Sequence, residues 1–314
     1  MDEESNLELS IVTTLYHSRP FLEEYLKEVI FEVNKSKVNN FELLFVNDGS
    51  PDDSLEFLLI LKKNIPEIKI IDLSRNFGHH FAIQEGLAQA KGELVFLIDN
   101  DLETPGSVIS EFIEIMRKEK DLDVVFGFQE NRKGNFFERI TGGLFWKIFN
   151  ILSDTKIPNN IVTERLMKRK YIIELMRLGD ANLFIGGMFH WVGFNQKGVS
   201  LKRGQRKGKS TYTRKKKMDL MIHAITSFSG KPLEWLFYFG LTISFLSVVV
   251  IFILIFNKIL YANEVQIGWT TLVAVNIFIL GILSTFLGVI GIYVNKIFRQ
   301  VQNRPNVIIR KIYD

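Results

Sequence analysis

The chain has 314 residues, 47% apolar, 12% aromatic and 24% charged, with no cysteine and a formal net charge of +4. This is too apolar and too varied for a disordered or fibrous chain, and the missing cysteines exclude disulfides, iron–sulfur clusters and cysteine-ligated zinc. A mean hydropathy of +0.12 is high for a soluble protein and points to apolar residues concentrated in a few segments.

In chain order, residues 7–15 predict a strand and Pro20 opens a helix reaching residue 35. Residues 41–47 (FELLFVN) form a nearly continuous apolar run, followed by Ser50 and Pro51 as N-cap and first-turn proline of a helix to residue 63. The pattern repeats with a strand over 68–73, a helix over 79–90 and a strand over 93–98. A helix capped by Thr104 and Pro105 then runs to residue 119, and a strand covers 123–128. This alternation predicts an α/β domain with a mainly parallel sheet covered by helices on both faces. Such sheets bind ligands at the carboxyl ends of their strands, which is where Asp48 (in NDGS) and Asp99 with Asp101 (in DNDLE) fall. The turn after the first strand, TLYHSRP, lacks the glycines of a dinucleotide site, and the P-loop pattern is also missing.

Two later segments are free of charge: residues 236–256 and 269–293. Each is long enough for a bilayer, which needs about 20 apolar residues, and neither has the polar face of a buried core helix. Residues 202–217 carry nine Lys or Arg, and Lys296, Arg299, Arg304, Arg310 and Lys311 follow the second segment. The positive-inside rule therefore places both ends in the cytosol. The opening MDEESN is acidic and polar, without the apolar core of a signal peptide. Gly281, Ser284, Thr285, Gly288 and Gly291 put small side chains on one helix face, suited to the first span or to another subunit. Met218, Met221, Ile222, Ile225 and Phe228 fall at helical spacing behind Arg214–Lys217. They read as a helix in the headgroup layer or as one packed on the cytosolic domain. The resulting division is a cytosolic domain over 1–212, an interfacial region over 213–232, two transmembrane helices over 233–295 and a cytosolic tail over 296–314.

Asp99 and Asp101 are two residues apart, so on an extended strand end their carboxylates share a side. A hard divalent ion takes one or two carboxylates plus phosphate oxygens and water, which makes the pair a candidate diphosphate site, although a lone D-x-D also serves as a helix cap. A basic segment later in the chain, Arg203, Arg206, Lys207 and Lys209, is available to neutralise a leaving diphosphate. The five histidines are scattered or adjacent and imply no zinc site; His79 reads as helix-start or nucleotide-pocket packing.

Several blocks resemble the signatures of family-two glycosyltransferases with the GT-A fold: SIVTTLY at 10–16, VNDGSPDDS at 46–54, LSRNFGHH at 73–80 and LIDNDLETP at 97–105. ERLMKRKYI at 164–172, GKSTY at 208–212 and ITSFSGKPL at 225–233, with the two closing spans, resemble the membrane-anchored polyprenyl-phosphate branch, the bactoprenol glucosyltransferase and dolichol-phosphate mannose synthase group. The resemblance implies that Asp48 contacts the base or ribose with Tyr16 and Arg75 nearby, and that Asp99 approaches the ribose or donor. It implies that Asp101, with Asp99, binds Mg2+ or Mn2+ at the diphosphate, and that Arg165 belongs to the acceptor loop. Arg203 and Lys209 match basic residues that hold the donor diphosphate or the acceptor phosphate.

Departures are also visible. The first block ends in His17 and Ser18 where the family has Asn-Glu, and the acid two residues before the acceptor-loop arginine is replaced by Thr163, leaving Glu164 as the adjacent carboxylate. The implied function is transfer of one sugar from a nucleotide sugar to a polyprenyl phosphate, inverting and metal-dependent, at the cytosolic face of the cell membrane. The resemblance also implies a homo-oligomer, with the tetramer as one form in keeping with the family's habit. Alternatives are a catalytically silent membrane scaffold that keeps the fold, or a processive polysaccharide synthase, whose Q-x-x-R-W block is absent. Nucleic acid is not implied, because the basic run has little aromatic interleaving and a membrane accounts for its charge.

Overall fold

A computed structural model describes residues 7–129, 151, 158, 160–181, 184–202, 204, 225–227, 229–260 and 269–314. The first half alternates as its apolar runs require: β1 (Leu9–Leu15), α1 (Leu22–Lys35), β2 (Phe41–Asn47), α2 (Ser54–Leu61), β3 (Ile68–Leu73), α3 (His79–Gln89), β4 (Leu94–Leu97), α4 (Ser107–Lys118) and β5 (Val124–Phe128). Then come β6 (Ile161–Lys168), α5 (Arg169–Arg177), α6 (Ile185–Trp191) and β7 (Gln196–Ser200). Two long helices, α7 (Lys231–Leu260) and α8 (Trp269–Gln302), precede a last strand, β8 (Ile309–Tyr313).

The eight strands among the described residues join one sheet in the order β7-β5-β6-β4-β1-β2-β3-β8. Only β6 and β8 run against the others, so the sheet is mainly parallel. Strand alternation sorts the side chains of β1: Leu9, Ile11 and Leu15 pack with α1, α2 and α4, whereas Val12 packs with α3, α5 and α6 on the other face. Burial of each large aliphatic side chain contributes about 1.5–3 kcal/mol, so both layers are anchored by the sheet. Gly86 lets α3 approach closely, since a Cβ there would lie 2.5 Å from Val12 Cγ1 and 2.9 Å from Val46 Cγ2.

The two helix caps read from sequence sit elsewhere. Helix α2 begins at Ser54 behind Asp53, and α4 at Ser107 behind Gly106. Ser50 and Thr104 instead bond to distant segments described below.

Helices α7 and α8, 30 and 34 residues long, extend about 45 and 50 Å at 1.5 Å per residue. Within α8, Ile279–Gln302 is long and apolar enough to cross a membrane and is not buried by the protein. Large side chains such as Phe245 and Phe252 on α7, and Leu280 and Leu287 on α8, are exposed. The helices touch through Phe239 and Phe286, ring centroids 5.9 Å apart. The small-residue face does not make this contact: a Cβ added at Gly281, Gly288 or Gly291 meets nothing within 4 Å.

The segment expected as a tail does not hang free either. Residues 309–313 pair antiparallel with β3 and cover what would otherwise be an open sheet edge. The interfacial segment expected over 213–232 lies outside the described residues up to position 224.

Candidate active site

The strand order reverses at β1, which has β2 on one side and β4 on the other. A doubly wound sheet leaves a crevice beyond the carboxyl ends of the strands at such a point. Tyr16 directly follows β1, Asp48 follows β2, and Asp99 and Asp101 follow β4, so these four expected residues gather at one end of the sheet.

The turn after β2 is tied down on every side. The Asp48 carboxylate is 3% exposed and accepts from the Phe77 amide at 2.7 Å and the Gly78 amide at 3.0 Å. Burial raises its pKa against these backbone bonds and the nearby His79 and Arg75. Gly49, at φ +59°, allows the two loops to meet: a Cβ would fall 2.6 Å from the Asn76 nitrogen. Ser50 Oγ accepts from the His17 amide at 2.8 Å and donates to Asp52 at 2.6 Å. Tyr16 is 48% exposed, and Arg75, also exposed, lies over the Phe77 ring at 4.1 Å.

The loop after β4 is fixed by its middle residue. Asn100 is buried and donates from Nδ2 to the Thr14 carbonyl at 2.8 Å, while Asp99 and Asp101 stay partly exposed on either side of it. Asp101 Oδ1 accepts from the Glu103 amide at 3.0 Å. His79, the first residue of α3, bonds from Nδ1 to Thr14 Oγ1 at 3.0 Å and brings Nε2 to 3.8 Å from Asp99. Its position at the start of α3 matches the helix-start reading. Among the described residues no three His, Asp or Glu form a protein-only metal cage. A partly open carboxylate pair suits a hard divalent cation that keeps phosphate and water as its other ligands.

Strand β6 separates two residues that the sequence placed together. Period-two alternation sends Glu164 to the α4 side, where it is fully buried and accepts from Thr104 Oγ1 at 2.5 Å. Arg165 goes to the opposite face. It is 1% exposed, stacks on Phe189 at 3.5 Å and donates to the carbonyls of Thr163 and Val162 at 3.2 and 3.3 Å. Burial pushes its pKa down to about 10, so it remains a cation near pH 7. Burial first, and the Arg165 cation second, push the neighbouring His190 down to about 4. In this arrangement Glu164 does not reach the crevice as a base; it supports the loop that carries Asp101.

Arg203 and Lys209 lie outside the described residues. Next to them, the Gly204 amide donates to the Glu103 carbonyl at 2.6 Å, so the chain beyond β7 returns to the Asp101 loop. Asn47, Ser50 and Asn100 were missed as site residues. Their signal was present in N-D-G-S and D-N-D, where Asn and Ser side chains commonly bond to nearby backbone.

Residues 10–176 match the family described as Glycosyl transferase family 2. The chain belongs to that family. It is 37% identical over 313 residues to the "Uncharacterized glycosyltransferase YkcC" of Bacillus subtilis (strain 168), covering 98% of this chain and 95% of that one. It is 31% identical over 306 residues to the "SfII prophage-derived bactoprenol glucosyl transferase" of Shigella flexneri, covering 97% and 98%. In fold it is similar to a mannosyltransferase, PcManGT, from Pyrobaculum calidifontis, solved in complex with GDP-Man and Mn2+, with a TM-score of 0.50 at 14% identity over 96% of this chain and 89% of that one. This family-two glycosyltransferase therefore has the expected GT-A arrangement, with its carboxylates at the carboxyl edge of the sheet.

Proposed function

We propose that this glycosyltransferase moves a single sugar from a nucleotide-sugar donor to a polyprenyl phosphate at the cytosolic membrane face, with inversion. The observation that carries the reading is the joining of two features in one chain. Tyr16, Asp48, Asp99 and Asp101 stand at the switch point of the sheet, and the same sheet is bonded to the segment that follows an exposed apolar helix. The bactoprenol glucosyl transferase of Shigella flexneri, alike over nearly the whole chain, supports a lipid-phosphate acceptor.

The chemistry needs little from a base. A phosphate monoester has a second pKa of about 6 and is mostly a dianion at pH 7, so its oxygen attacks the anomeric carbon without prior proton removal. The new carbon–oxygen bond forms on one face while the bond to the nucleoside diphosphate breaks on the other, with the electron pair departing on the diphosphate oxygen. Burial of Glu164 and the presence of Thr163 are compatible with this route. Asp99 and Asp101 would hold Mg2+ or Mn2+, which when bound neutralises charge developing on the leaving diphosphate. The loop built by Asp48, Gly49 and Ser50 would seat the base and ribose beneath Tyr16 and Arg75. Basic residues of the 202–217 run, Arg203 and Lys209 among them, would meet the phosphates.

The test offers purified full-length protein a panel of nucleotide sugars together with undecaprenyl phosphate and analyses the lipid by mass spectrometry. A lipid phosphate carrying one sugar is the expected product. A lengthening polymer would indicate a processive synthase, and binding without turnover of any donor would indicate a silent scaffold.

A further inference from the structure

Strand β8 does more than cover an edge. Arg310 lies on it opposite the end of β3, with its guanidinium donating to Asp72 Oδ2 at 3.2 Å and to the Ser74 carbonyl at 2.6 Å. Asp72 is 2% exposed, and its other oxygen accepts from Asn47 Nδ2 at 2.8 Å. Asn47, itself 4% exposed, accepts the Ser50 amide at 3.1 Å through Oδ1. Ser50 then holds the His17 amide, next to Tyr16. An unbroken line of hydrogen bonds therefore runs from Arg310 through Asp72 and Asn47 into the turn that carries Asp48, Gly49 and Ser50. Arg310 meets a nearly inaccessible carboxylate, and such charge-assisted bonds are about twice as strong as neutral ones. Without Arg310, Asp72 would have to find another counter-charge or turn away from Asn47.

We propose that Arg310 is a positioning residue for the donor nucleotide: through Asp72 and Asn47 it holds the Asp48–Ser50 turn in its binding geometry. The segment that follows the apolar helix α8 thereby becomes part of the nucleotide pocket, and donor affinity depends on its docking. This inference rests on the reading of Asp48 as a donor-binding residue.

Initial rates are measured on full-length detergent-solubilised protein, with donor and undecaprenyl phosphate varied separately, for wild type, R310A, R310K and D48A. The expected result is a donor KM raised by about five- to tenfold in R310A, with kcat and lipid KM within about twofold and intermediate values for R310K. A role confined to stability would lower Tm and the active fraction while leaving donor KM unchanged. If D48A raises donor KM and R310A leaves it at the wild-type value, the relay is refuted and the site reading stands. If D48A also leaves donor KM unchanged, both fall. Should R310A fail to accumulate, R310M keeps the aliphatic stem and is judged by the same donor KM criterion.

Discussion

Gly49 is the residue on which the geometry of the turn after β2 turns most sharply. Its φ of +59° and the 2.6 Å approach that a Cβ would make to the Asn76 nitrogen oppose any side chain. Gly49→Ala should destabilise the protein by about 1–3 kcal/mol and weaken donor binding, since the loop carrying the Phe77 and Gly78 amides must move off Asp48. Thermal unfolding and donor titration of the variant check this, and an unchanged affinity would show the contact to be dispensable. His190 gives a prediction in pH. Its folded pKa of about 4 lies below its ordinary 6.5, so between those values the unfolded chain binds more protons than the folded one. Stability should therefore rise as pH increases from about 4 to 6.5 and level off above. His190→Gln should flatten that part of a chemical-denaturation series, and an identical slope in the variant would contradict the assignment.

At the scale of elements, β1 to β5 and α1 to α4 were legible to within a few residues because each is a local apolar run bounded by turn residues. The caps were not. Ser50–Pro51 and Thr104–Pro105 have the local chemistry of helix starts, yet their hydroxyls bond to His17 and Glu164 instead, partners 33 and 60 residues away. Strands β6, β7 and β8 escaped for a related reason: pairing across the sheet with partners distant in sequence is a non-local event that composition does not report. The opposite burial of Glu164 and Arg165 follows from the period-two alternation of β6 and was hidden with that strand. The Thr104–Glu164 bond ties the loop between β4 and α4 to β6. Thr104→Val keeps the shape but removes a donor to a buried carboxylate, a loss of about 1–3 kcal/mol, readable by urea denaturation. A change under about 0.5 kcal/mol would mean that Glu164 is held adequately by its other contacts.

For the whole molecule, the long helices and the catalytic sheet are joined at several points. Gln300 Oε1 accepts from the Ala181 amide at 2.9 Å, Asn306 donates to Gln84 at 3.0 Å, and β8 closes the sheet. On the proposed reading, an active site fixed in this way to an exposed apolar helix meets a lipid headgroup at a constant height. Full-length protein mixed with liposomes should float with them and resist extraction by high salt, because exposed apolar side chains rather than surface charge hold it there. Recovery in the soluble fraction would separate the chain from the lipid. The central claim, that the acids at the switch point drive sugar transfer onto a lipid phosphate, is tested most directly by the initial rate of lipid-linked product formation in Asp101→Asn against wild type, at saturating donor and undecaprenyl phosphate. A fall of at least about a hundredfold with Tm preserved is the predicted result; a variant that forms product at the wild-type rate would contradict the account.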